Sequence, residues 1–131
     1  MPSFASNRNL EDLRRAAERF AQERDWEQFH SVRNLLLALV SEVGELAEVV
    51  RWSGDEAHPI TADNAAAWRD EIADVFILLV RLADRSGVDL TSAFIDKLAK
   101  AGEKYPAEEF RGRSHKSYME IRTQRRIDAK D

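Results

Sequence analysis

Apolar residues recur at helical spacing over most of the chain, and the breaks fall at glycine, proline and short polar runs. Leu10, Leu13, Ala17 and Phe20 predict a first helix from about Asn9 to Arg24, with Asn9 as its cap. A connector from Asp25 to Ser31 holds Trp26, Phe29 and His30. Leu36, Leu39, Val43, Leu46 and Val50 predict a second helix from Val32 to Trp52, capped by Ser31. Gly54 and Pro59 break the polar stretch that follows. A third helix is predicted from Ala62 to Arg85, with Thr61 as its cap and Ser86-Gly87 as its end. The fourth starts after Asp89, continues to Lys104 and stops at Pro106. Val75 to Val80 is apolar throughout, but it lies inside a longer stretch of 3.6-residue period and reads as helix. No alternating strand pattern of useful length, internal repeat or low-complexity tract appears. The pattern therefore predicts an all-α bundle of four helices in residues 1–110, followed by a tail in 111–131.

Composition narrows what such a bundle does. The 131 residues suit one domain with a small core. No run approaches the roughly 18 apolar residues that span a bilayer, and the first residues lack the apolar segment of a secretory signal. The chain has no cysteine, which removes disulfides, thiolate nucleophiles and cysteine zinc sites and fits a reducing cytoplasm. The net charge of −4 is unevenly placed. The tail carries seven basic and three acidic residues, which leaves the body strongly acidic. An acidic body argues against binding duplex nucleic acid. The tail reads best as a solvated and partly disordered segment, with contact to a phosphate or an acidic neighbour as the other reading.

The acids carry the chemistry. Glu42 and Glu45 lie three apart on the second helix, and Glu71 and Asp74 three apart on the third. Residues at that spacing share a helix face. Two such helices packed antiparallel aim four carboxylates into one space. None of the four has a basic residue at i+4, so their repulsion is unrelieved along their own helices. A partly buried cluster of this kind must take up protons or bind cations. A single E-x-x-E is usually a solvated face, but two acid pairs beside strongly apolar runs favour a metal site. No histidine stands three residues after any of the four, unlike the Glu-x-x-His of di-iron bundles. The all-oxygen set points to magnesium, with manganese as a substitute. Glu48 is expected to face solvent or support the site from behind.

At these residues the chain resembles the MazG-like all-α nucleoside triphosphate pyrophosphohydrolases, most closely their dCTP pyrophosphatase branch. The motif of that superfamily is ExxE, a spacer, then ExxD. Here it reads Glu42 to Glu45, twenty-five residues, then Glu71 to Asp74. The stretches ERDWEQFH at 23–30, RNLLLALVSEVGELAE at 33–48 and KLAKAGEKYP at 97–106 resemble the branch as well. The resemblance implies a magnesium-dependent hydrolase that converts a triphosphate, dCTP or a modified dCTP, to its monophosphate and pyrophosphate. It implies Glu42, Glu45, Glu71 and Asp74 as metal ligands and catalytic groups. It places Trp26, Glu27, Gln28, Phe29 and His30 along the nucleotide pocket and Trp52 against the base. Three positions depart from the animal enzymes: Ala17 for a histidine near the substrate, Leu78, a substrate-binding candidate in this chain, for a tyrosine, and Ala101 for an asparagine. All three bear on base selectivity and not on hydrolysis. The resemblance also implies a homo-oligomer, a dimer of dimers with sites near interfaces, and the wide apolar arcs of helices two and three agree with an interface.

A triphosphate brings a charge near −4 into an acidic pocket, so cations must neutralise both. A coordinated water has a lowered pKa, and one of the four acids, Glu45 among the candidates, accepts its proton. Attack at the α-phosphorus releases pyrophosphate. Lys97, Lys100 and Lys104 recur near one face of the fourth helix and are candidates for holding the outer phosphates, against a plain solvated stripe. No GxxxxGK[ST] loop is present, which excludes a P-loop mechanism. Two other readings stay open: a hydrolase of the same superfamily acting on dUTP or another non-canonical nucleotide, and a non-enzymatic helical oligomerisation domain.

Overall fold

A computed structural model describes residues 7–130, and every regular element among them is helical. The elements are α1 (Leu10–Gln22), a 3₁₀ turn (Trp26–Phe29), α2 (Val32–Val50), α3 (Ala65–Arg85), α4 (Leu90–Lys104), α5 (Ala107–Phe110) and α6 (His115–Asp128). The chain divides into two compact units after Thr91, within the first turn of α4.

In the first unit, α2 and α3 form the principal helix pair, and α1 packs on α3. Local chemistry sets their ends. Asn9 accepts from the Asp12 amide at 2.9 Å while Asp12 accepts from the Asn9 amide at 3.0 Å, a reciprocal cap that starts α1. Ser31 Oγ accepts from the Asn34 amide at 3.1 Å and starts α2. Helix α3 begins three residues later than the spacing predicts, and its cap is Asn64, not Thr61. The reason lies in the Asn64 side chain. Its Oδ1 accepts from the Thr61 amide at 2.8 Å, and its Nδ2 donates to Ser53 Oγ at 2.8 Å and Pro59 O at 2.9 Å. These bonds hold residues 61–64 in a turn and fasten the α2–α3 loop.

The same side chain reaches Val49 O near the end of α2, at 3.4 Å. At the other end, Arg85 Nε donates to His30 O at 3.0 Å, just before α2 starts. The start of α3 therefore meets the end of α2, and its end meets the start of α2. The pair is antiparallel, as the two acid motifs require. Ala21, Leu35, Val80 and Ala83 are the buried apolar side chains among the described residues, together with one charged group, Arg81.

In the second unit, the tail forms a helix where a solvated, partly disordered segment is expected. Ser114 caps α6 by accepting from the Ser117 amide at 3.2 Å. Tyr105, Phe110 and Tyr118 cluster with ring centroids 5.4–6.2 Å apart. Arg125 lies over two of these rings and pairs with Glu109 at 2.6 Å. These aromatic contacts supply burial that the polar sequence of the tail does not advertise. No helix among the described residues is long and apolar enough to cross a membrane.

Candidate metal centre

Antiparallel packing brings the acids of α2 and α3 together. One carboxylate oxygen from each of Glu42, Glu45 and Glu71 lies within 4.8 Å of the others. Glu42 and Glu71 are half-buried, and each has one oxygen sealed from solvent without a hydrogen-bond donor. Buried acceptors normally have a partner, and an unpartnered one is destabilising. Two such oxygens on residues of one acidic trio suit a cation.

The electrostatics agree. The Glu42 carboxyl is pushed up to about 7. Its hydrogen bond with Glu45 is the largest cause, followed by burial and by the negative charges of Glu45, Asp74 and Glu71. Glu42 thus holds its proton more tightly than a free carboxyl does. An all-oxygen set of closely spaced carboxylates is chemistry that magnesium or manganese accepts. The residues present therefore fit a divalent ion.

The fourth acid stands apart. Asp74 is exposed and outside the close group, although its charge acts on Glu42. Glu48 faces solvent and pairs with Arg51 at 3.4 Å.

The segment 26–30 does not line one pocket. Trp26 and His30 border an apolar cavity of about 410 Å³, walled also by Ala17, Phe20, Leu78 and Arg81. Glu27 and Gln28 border a separate polar depression with Gln22 and Asp25. Phe29 is exposed, and Trp52 is 84% exposed with the Arg51 guanidinium 4.9 Å from its ring. Trp26 and Trp52 therefore do not close on a common cavity in this chain. Lys97, Lys100 and Lys104 are exposed on α4, with Lys104 Nζ 5.4 Å from the Tyr105 ring.

Sequence reasoning missed Arg81. Its Nη1 pairs with Asp84 at 3.0 Å, and Nη2 lies 3.6 Å from Glu27 and 3.5 Å from His30 Nδ1. Asp84 also pairs with Arg14 of α1 at 3.1 Å. This network ties α1, the 3₁₀ turn and α3. The signal was present: Arg81 interrupts an apolar run at the spacing 71, 74, 78, 81, on the same stripe of α3 as the acids.

The chain is similar to known proteins. Residues 35–120 match the model of the MazG-like family. The dCTP pyrophosphatase 1 of Bos taurus is 50% identical over 113 residues, covering 84% of this chain and 67% of that protein. The dCTP pyrophosphatase 1 of Homo sapiens is 49% identical over 122 residues, covering 91% and 71%. The chain thus spans about two thirds of the length of these relatives. The crystal structure of a pyrophosphatase from Archaeoglobus fulgidus superposes with a TM-score of 0.69 at 27% identity, over 79% of this chain and 98% of that one. With about half of the aligned residues identical to those enzymes and all four acids inside the matched segment, the chain belongs to the MazG-like family.

Proposed function

We propose that this chain is a magnesium-dependent nucleoside triphosphate pyrophosphohydrolase whose substrate is dCTP or a modified dCTP. The observation that carries the reading is the trio Glu42, Glu45 and Glu71, with two buried carboxylate oxygens that lack any donor. The identity to dCTP pyrophosphatases supports the substrate.

Glu42, Glu45 and Glu71 would hold the ion, with Asp74 beside them. When bound, magnesium or manganese neutralises the carboxylates, lends Lewis acidity to the phosphates and lowers the pKa of a nearby water. The chain's own groups do the rest. Glu45 is exposed and hydrogen-bonded to Glu42, so it is placed to accept a proton from an attacking water. Water adds to the α-phosphorus, the bond to the bridging oxygen breaks, and monophosphate and pyrophosphate leave. Trp26 offers an aromatic face to the base at the edge of the apolar cavity. Lys97, Lys100 and Lys104 are our candidates for the outer phosphates.

Assembly completes the reading. Val32, Leu36, Val40 and Val43 form one exposed stripe on α2, and Ile72, Phe76 and Leu79 another on α3. Stripes of this width favour burial against other copies, and a dimer of dimers is the assembly we propose. We propose a cytoplasmic location, in keeping with a role in the nucleotide pool. The test is pyrophosphate release from a panel of triphosphates, read through added inorganic pyrophosphatase. Magnesium-dependent release from dCTP is expected. Silence across the panel, with the fold intact, overturns the proposal.

A further inference from the structure

Leu13 and Phe20 of α1 line the apolar cavity yet stay 40% and 49% exposed. Apolar burial between α1 and α3 is therefore incomplete over the cavity, and it does not by itself fix how far apart the two helices stand. Polar ties supply what is missing, and Asp84 of α3 carries one on each carboxylate oxygen. Its Oδ1 accepts from Arg14 Nη1 of α1 at 3.1 Å, and its Oδ2 accepts from Arg81 Nη1 at 3.0 Å. Arg81 Nη2 then reaches Glu27 at 3.6 Å and His30 Nδ1 at 3.5 Å, both in the segment that joins α1 to α2.

These ties connect the elements that wall the cavity: α1, the segment with Trp26 and His30, and α3 with Arg81. Asp84 and Arg14 are not part of that wall. They border a neighbouring cleft of about 420 Å³. A carboxylate outside the cavity thus clips two of its walls to the third. Arg14 also pairs with Glu11 at 2.7 Å and Glu18 at 3.1 Å on its own helix, so loss of Asp84 leaves α1 helical and cuts this tie to α3. Arg81 is only 2% exposed, and a buried guanidinium keeps its place through its acids. Without Asp84 it retains Glu27, at 3.6 Å against 3.0 Å.

We infer that Asp84 is a positioning residue for the nucleotide: through Arg14 and Arg81 it holds α1 and Trp26 at the spacing that admits the base. It acts on binding and not on the chemistry, because it stands ten residues past Asp74, about 15 Å farther along α3 than the acid cluster. The inference rests on the hydrolase reading above and adds to that site a residue from outside its walls.

The test is steady-state pyrophosphate release from dCTP by the full chain with magnesium, for wild type, Asp84→Ala and Asp84→Glu. Asp84→Ala should raise KM about tenfold and leave kcat within about twofold, since the lost positioning serves ground and transition states alike. Asp84→Glu keeps two acceptor oxygens and should recover most of the KM. A smaller folded fraction lowers kcat and leaves KM alone, so that pattern means a structural role and overturns the inference. An unchanged KM, or one that glutamate does not restore, overturns it too. Arg14→Gln cuts the α1 tie and leaves Arg81 paired, and it should raise KM in the same way. Combined with Asp84→Ala it should add less than the sum of the two effects, whereas full additivity means that Asp84 acts by another route and overturns the inference. Where Asp84→Ala fails to fold, as judged by circular dichroism, Arg14→Gln carries the KM comparison with the same outcomes. Wild type that releases no pyrophosphate from any triphosphate defeats the hydrolase reading and this inference with it. Wild type that hydrolyses dCTP, beside an Asp84→Ala with an unchanged KM, defeats only this inference.

Discussion

Glu42 concentrates the electrostatics of the site. Its carboxyl titrates near 7 in the folded chain, above the ordinary 4.5. The folded state thus holds this proton more tightly than the unfolded state does. Its contribution favours folding in acid and is lost as pH rises from about 4.5 through about 7. The metal-free protein should therefore show a melting temperature that falls across that window. Magnesium should cancel the fall, and Glu42→Gln should flatten it; a flat wild-type profile in chelator would contradict the assignment. In turnover, Glu42→Gln or Asp74→Asn should lose about 100-fold or more while the helical circular dichroism stays unchanged. Near-normal rates in either variant would remove that residue from the centre. The acids were legible because spacing alone puts i and i+3 on one face. Arg81 was not, because a lone charge in an apolar run carries no sign of its partners. Glu27, His30 and Asp84 approach it only in the folded chain. The segment 26–30 read as one pocket wall, yet its side chains diverge around a 3₁₀ turn, and spacing rules for longer elements do not foresee that.

Among the elements, α1, α2 and α4 keep their expected starts to within a residue, because Asn9, Ser31 and the boundary at Asp89 mark them directly. The start of α3 shifts because Asn64 spends its side chain on the loop and not on a cap. That role makes it a remote support of the acid cluster, since the loop sets how α2 and α3 register. Asn64→Ala should destabilise the chain by about 2 kcal/mol in urea unfolding and weaken magnesium binding, though it touches no carboxylate. An unchanged unfolding midpoint would show that the loop fastens itself by other means. Gly54 in the same loop has φ +66°, and a Cβ there would run into the His58 carbonyl. Gly54→Ala should cost about 1 kcal/mol or more, measured the same way. Helices α5 and α6 escaped the sequence reading because their apolar contacts are a few aromatic rings and not a repeating stripe.

For the whole molecule, the exposed stripes of α2 and α3 bear on the assembly. Val40 is 64% exposed in the single chain, far from ordinary for a valine flanked by apolar neighbours. Val40→Asp should lower the mass seen by analytical ultracentrifugation if that face is an interface, and an unaltered mass would place the interface elsewhere. The central claim is narrower: three carboxylates of α2 and α3, joined by Asp74, gather a divalent ion for attack at the α-phosphorus. Its most direct test is hydrolysis of dCTP in ¹⁸O-labelled water with magnesium, followed by mass spectrometry of the products. The expected result is one labelled oxygen in dCMP, unlabelled pyrophosphate, and no reaction in chelator. Label in the pyrophosphate, or turnover that persists without divalent metal, would contradict the account.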